Sequence, residues 1–303
     1  MTSPQPTVIF GFDMETDVGS WTPFYNGVVK GTPRLLELLH KRGVQATFFF
    51  TADAARQHPA VTKDVVAAGH EVGNHSLYHE TVGDELFPIP GLKPLLPAEV
   101  EGRLREAHKW IRQAAGVKPV SFRAPRLWGS TAVVRALESM GYVADASYPL
   151  YFYEKQLDPY HPSARDWTQT GRMKLLEIPN VADMGMKSRD AHGRDRDLWP
   201  LFRVQGAARI MPRLESFARV VARRKLPLVM CFYFHPWEFY EMPQGLIRYG
   251  EGAVLPAPFI VKNCGKVALR ELDFLITLLR QRFDARFLSC KALARAWRPQ
   301  ASS

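Results

Sequence analysis

GHEVGNHSLYH, residues 69–79, is the stretch on which the reading of this chain turns. His75 and His79 lie four apart. A helix opening at Asn74 or His75 would set both imidazoles on one face, close enough to share a cation. Neutral imidazole is the commonest protein ligand for zinc and its neighbours. Residues 71–74, Glu-Val-Gly-Asn, read as a short strand ending in turn-forming residues. The pair therefore falls where a strand gives way to a helix or loop, the usual seat of chemistry in α/β proteins. Two histidines on one turn also occur as plain surface residues, and two ligands do not make a site. A third ligand has to come from elsewhere in the chain.

Outward from this stretch the chain alternates. Residues 7–12 are a short apolar run, as expected of a strand buried on both faces. Residues 33–42, PRLLELLHKR, open on proline, carry leucines at helical spacing and are punctuated by Gly43. Residues 44–50 form a second buried strand, and 60–68 a helix stopped by Gly69. Strand, helix, strand, helix, strand is the signature of parallel βαβ units. Further helices are expected over 98–115, 130–140, 211–224, 266–282 and 290–297, and strands over 120–123, 141–145, 175–178, 228–234 and 285–288. Residues 87–97, 184–197 and 240–258 read as loops, the second exposed with His192 solvated. No repeat or linker divides the chain, so one α/β barrel-like domain over residues 1–303 is expected.

A content of 46% hydrophobic residues supplies a substantial core and argues against disorder. The formal charge of +10 is compatible with nucleic acid, a membrane surface or an anionic substrate. Lys and Arg are scattered, however, and their densest cluster (Arg219, Arg223, Arg224, Lys225) falls at one helix end, where cations suit the dipole. No nucleic-acid motif accompanies it, so no nucleic-acid partner is expected. Cys231, Cys264 and Cys290 are odd in number and widely spaced, which fits a reducing compartment rather than a disulfide framework. The N-terminal MTSPQPTVIFGFD enters a strand at once, without a basic start and apolar leader, and no apolar run approaches a bilayer span. A cytoplasmic placement follows, with peripheral contact at the inner membrane face left open.

In a parallel barrel, groups just past the strand ends converge on one face. Here those positions hold Asp13-Met14-Glu15, His75 and His79, Arg123-Ala124-Pro125, Asp145-Ala146-Ser147 and His235-Pro236-Trp237. The order FDME (12–15), NHSLYH (74–79), FRAPR (122–126), DAS (145–147) and FYFHPWE (232–238) resembles the polysaccharide deacetylase family, carbohydrate esterase family four with its NodB-homology domain. A single HxxxH is common, whereas five ordered motifs are not.

The resemblance implies a distorted (β/α) barrel and a metal-dependent hydrolase acting on carbon–nitrogen bonds, removing an acetyl or formyl group from an amino sugar. Asp13 then matches the catalytic base, His75 and His79 the metal histidines, and Arg123 the arginine that holds the base. Asp145 matches the carboxylate that tunes the acid, His235 the general acid, and Ser76 a brace for the histidine loop. The metal would be divalent, zinc first, with manganese, cobalt, iron or nickel as alternatives. The usual adjacent Asp-Asp is replaced by Asp13-Met14-Glu15, a D-x-E variant similar to certain peptidoglycan deacetylase-like proteins and lipid-linked sugar deformylases. Residues i and i+2 of a strand share a face, so Glu15 is the expected third ligand and Asp17 the fallback. Arg126 replaces a typical aromatic and bears on substrate charge; Phe234 for leucine is conservative.

Plainer readings stand beside these. Asp13 and Glu15 could be a solvated strand end, Arg123 and Asp145 a structural ion pair, and His235 a core histidine. Trp21, Trp128, Tyr148 and Trp237 could line a sugar cleft or simply pack. The expected partner is an N-acylated amino sugar, either an N-acetylglucosamine derivative or a lipid-linked or anionic conjugate. The basic charge and the segment GTPRLLELL (31–39) favour the lipid-linked form. The alternatives are a hydrolase of non-sugar or cyclic amides on the same fold, and a non-catalytic glycan-binding relative.

Overall fold

Phenylalanine, valine and isoleucine crowd the first strand because both of its faces are covered. In the computed structural model β1 (Thr7–Met14) is buried along its whole length. Its pairing starts a parallel sheet that continues through β2 (Thr47–Phe50), β3 (Glu71–Asn74), β4 (Ser121–Phe122), β5 (Ala144–Asp145) and β6 (Leu176–Glu177). The opposite edge of β1 pairs along six residues with β7 (Val229–Phe234). The antiparallel hairpin of β8 (Ile247–Tyr249) and β9 (Gly252–Val254) stands apart, and β10 (Arg286–Phe287) pairs with Thr7 and Val8. Between β6 and β7 the ring is closed by a bridge from Asn180 to Cys231, where the Val181 N–H donates to the Cys231 carbonyl at 2.8 Å. The result is the distorted (β/α) barrel expected from the sequence. The structure describes residues 5–298; residues 1–4 and 299–303 of the expected domain, and with them the start of the N-terminal segment, lie outside it.

Helices pack around this sheet by their apolar stripes. In Pro97–Ala115 the buried residues Val100, Leu104, Ala107 and Ile111 recur every three or four positions, and Gly116 ends the helix in the left-handed conformation. Each buried Leu or Ile of this kind contributes roughly 1.5–3 kcal/mol. Between the sheet and these helices, Phe10, Phe12, Phe48 and Phe234 form an aromatic cluster with ring centroids 4.9–5.6 Å apart.

Most expected elements are present with ends shifted by a few residues, and three regions differ. The helix expected from residue 211 begins at Ala207 and carries Pro212 inside it. Burial of Ala207, Ile210 and Met211, with the Ala207 N–H donating to Glu271, offsets the break that proline favours. Residues 240–258 are not wholly irregular, since they hold the β8–β9 hairpin. A further helix, Ala52–Gln57, is capped by the Thr51 hydroxyl.

Candidate active site

The segment after β3 is not a helix. Ser76 and His79 have φ of +70° and +66°, a conformation closed to helical propagation. The Glu80 carboxylate makes this turn: it accepts the N–H groups of Leu77 and Tyr78 and the Ser76 hydroxyl at 3.2, 2.6 and 3.2 Å. Asn74 Oδ1 accepts the Ser76 N–H at 2.9 Å. The two imidazoles meet through this loop, with ring centroids 5.1 Å apart.

Glu15, one residue past β1, faces them. Its Oε2 lies 2.5 Å from His79 Nε2 and 4.0 Å from His75 Nε2, and all three side chains are buried. His75 Nδ1 is 2.7 Å from the Arg123 carbonyl, which fixes that nitrogen as the donor and turns Nε2 toward Glu15. Ligand atoms of Glu15, His75 and His79 all fall within 4.8 Å of one another. Two imidazole nitrogens and one carboxylate oxygen suit a divalent cation with positions left open. The buried Glu15 Oε1 has no hydrogen-bond partner among the described residues, as expected of a group built for an ion. Burial pushes the Glu15 carboxyl up, but His79, His235 and His75 together hold it down near about 2. Burial also lowers His75 to about 4, keeping it neutral and able to ligate. Asp17 is not in this group. Its carboxylate accepts the N–H of Gly27 at 2.8 Å and both donors of Asn26 at 3.2 Å, which fastens the turn Gly27–Gly31.

Asp13 lies on the same wall. Arg123 Nη1 donates to its Oδ1 at 2.9 Å. The fully buried guanidinium is further held by the carbonyls of Ala146 and Phe232 at 3.1 and 3.3 Å, and it lies over the Phe49 ring. Burial opposes its charge, and Asp13 more than restores it, so the pKa is raised. A Cβ at Gly11 would sit 2.2 Å from Nη1, so only glycine leaves room for this arginine.

His235 enters from β7, with Nε2 3.7 Å from Glu15 Oε1. Its expected carboxylate partner, Asp145, does not reach it. Asp145 is buried under Arg123, where it takes the Ser147 hydroxyl and neighbours Glu177, whose Oε1 accepts the N–H of Ser147 and Tyr148 at 3.0 and 2.8 Å. Burial raises both carboxyls, Asp145 to about 6, and the Asp145 charge raises Glu177 further. The residue beside His235 is Glu238, with Oε1 3.2 Å from His235 Nδ1 and 2.8 Å from its N–H. Glu238 is in turn held by Arg203 Nε at 2.6 Å and Trp199 Nε1 at 2.8 Å. Burial would depress the His235 pKa, but Glu238, Glu15 and Asp13 raise it overall. The i,i+3 spacing of His235 and Glu238 in HPWE was the available signal for this pair.

These groups line one cavity of about 720 Å³. Trp21 and Trp237 border it, whereas Trp128 and Tyr148 are core residues. The 184–197 segment is not simply an exposed loop: Asp190, Arg194 and Asp197 line the same cavity, and His192 packs against Phe87 and Phe152.

Comparison with known proteins agrees with this geometry. Residues 2–144 match the family model for polysaccharide deacetylase. A peptidoglycan-N-acetylglucosamine deacetylase of Bacillus cereus is 26% identical over 190 residues, 61% of this chain and 76% of that protein. A chitooligosaccharide deacetylase of Sinorhizobium fredii is 30% identical over 141 residues, but the match spans 46% of this chain and only 55% of that protein. Among solved structures, a probable polysaccharide deacetylase of Pseudomonas aeruginosa shares the fold with a TM-score of 0.62 at 16% identity, covering 97% and 91% of the two chains. An allantoinase does so with a TM-score of 0.59 at 17% identity, covering 97% and 90%. Over residues 2–144 the chain is thus similar to the polysaccharide deacetylase family.

Proposed function

We propose that this protein is a metal-dependent N-deacylase that removes an acetyl or formyl group from an amino sugar or sugar conjugate. The observation that carries this is the buried cluster of Glu15, His75 and His79 beside the Asp13–Arg123 pair and His235 in one cavity. Glu15, His75 and His79 would hold the ion, which supplies Lewis acidity toward water and the amide carbonyl. Zinc is the first candidate on ligand type, with manganese, cobalt, iron and nickel behind it.

The chain's own residues account for the proton movements. Arg123 donates to Asp13 Oδ1 and fixes the carboxylate in place, leaving Oδ2 to accept a proton from the attacking water. Water oxygen joins the acyl carbon and the carbon–nitrogen bond breaks. His235, its Nδ1 side held by Glu238, gives the Nε2 proton to the departing nitrogen. The amine and a small carboxylate leave, and transfer of a proton from Asp13 to His235 restores the starting state. Asp145 supports this machinery from below: Ser147 Oγ accepts the Ala124 N–H at 2.8 Å next to Arg123.

The relatives named for peptidoglycan N-acetylglucosamine and chitooligosaccharides support an N-acetylated sugar as substrate. A lipid-linked conjugate, with peripheral membrane contact, is the second form of this reading. It is favoured by the apolar rim of the cavity, where Trp21, Leu255 and Phe259 are about half or more exposed. No described helix is long and apolar enough to cross a membrane. The three cysteines are free thiols, in keeping with a cytoplasmic placement.

The test is metal content by elemental analysis of the wild type, Glu15→Ala and His79→Ala, followed by a screen for released acetate and formate. About one ion per chain, lost or sharply reduced in both variants, is expected. A wild type that takes up no zinc, manganese or cobalt would overturn the mechanism.

A further inference from the structure

Arg126 stands in the turn after β4, and nothing in the mechanism above uses its side chain. Arg126 and Leu127 both have φ of +62°, which is unfavourable for residues with side chains and is held by the N–H of Leu127 and Trp128 donating to Ala124 and Pro125. The side chain lines the same cavity as Asp13, Glu15 and the two histidines. Its Nη1 donates to the His79 carbonyl at 3.1 Å and to Thr81 Oγ1 at 3.3 Å. Those two bonds aim the guanidinium. Among the described residues Nε and Nη2 donate to nothing, and no carboxylate forms an ion pair with it. The buried arginines nearby are different: Arg123 has Asp13, Arg203 has Glu238 and Arg196 has Glu154.

A half-buried cation without a counter-ion is costly unless something else supplies the charge. The free edge of a guanidinium offers two parallel donors that match a carboxylate or phosphate. We propose that Arg126 determines specificity by receiving an anionic group, carboxylate or phosphate, carried on the substrate beside the scissile amide. This rests on the amide-hydrolase reading of the site and names the class of sugar it takes: an acidic one.

The test is calorimetric titration of the full-length, zinc-loaded protein with N-acetylglucosamine, N-acetylmuramic acid and N-acetylglucosamine 6-phosphate. At least one acidic probe is expected to bind about 10-fold or more tightly than the neutral one. The acid that does so identifies the source of the charge. In Arg126→Gln the ratio should collapse toward one, and Arg126→Lys should recover part of it, because a point charge replaces the fork. Should Arg126→Gln not fold, Thr81→Val removes one of the two bonds that aim the guanidinium and should lower the same ratio. Equal binding of all three probes by the wild type, or a ratio that survives the folded variants, overturns the proposal. Acetate release from the same probes is read separately. An acidic preference without release defeats the hydrolase assignment and leaves the role of Arg126 standing; release without the preference does the reverse.

Discussion

His235 shows how a single side chain is set for its task by what lies behind it. Burial alone would favour the neutral ring, and Glu238 at Nδ1 reverses that. In the proposed mechanism His235 is the general acid and must carry its proton, so activity should be lost as pH rises through the His235 pKa. Glu238→Gln removes the raising charge while keeping the shape. The basic limb of the pH profile of kcat/KM should therefore move down by about one pH unit relative to the wild type. A limb that stays in place would mean that Glu238 serves only Arg203 and Trp199. At this scale the sequence was informative by position and silent about partners. Asp13, Glu15, His75, His79, Arg123 and His235 could all be named from strand ends and motif order. That Asp145 would lie beside Glu177 depends on β5 and β6, which only the sheet brings together, whereas Glu238 stands three residues from His235.

The loop after β3 is the element that brings the histidines together. Its spacing suits a helix, yet the chain turns twice through positive φ instead, because Glu80 collects two backbone N–H groups and a hydroxyl. A side chain that competes for backbone donors in this way overrides helical spacing. Glu80→Ala should loosen both imidazoles at once. Zinc affinity, measured by competition with a chromophoric chelator, is expected to fall about 10- to 100-fold, although Glu80 is not among the three grouped residues. The turn Gly27–Gly31 serves the opposite wall. Trp237 N lies 2.2 Å from where a Cβ at Gly27 would be, so the close approach that seats the His235 turn requires glycine. The glycines were visible in the sequence, and the surface they admit was not.

For the molecule as a whole, the barrel has a catalytic end and a structural end, and buried histidines sit at both. His70 lies at the opposite end from the cavity, against Phe48, with Nδ1 unpartnered among the described residues. Burial lowers its pKa from 6.5 to about 4. Above about pH 6.5 the ring is neutral folded or unfolded. Below that the unfolded chain takes the proton first, so stability is lost as pH falls from about 6.5 toward about 4. Urea unfolding at pH 7.5 and pH 5 should show this fall, and His70→Gln should reduce it by about 2 kcal/mol. An unchanged fall would assign the acid sensitivity to other groups.

The sequence by itself determined the parallel α/β class, because apolar runs of strand length alternate with amphipathic helices. It also pointed to the polysaccharide deacetylase family, because five motifs occur in order at the strand ends. Local spacing suffices for both. The tertiary structure alone decided that the β6–β7 gap closes at Asn180 and Cys231, that Arg126 faces the cavity with no carboxylate paired to it among the described residues, and that Asp145 lies beside Glu177. These depend on side chains separated by tens to hundreds of residues, whose distances are fixed only when the sheet curls and its strand ends meet.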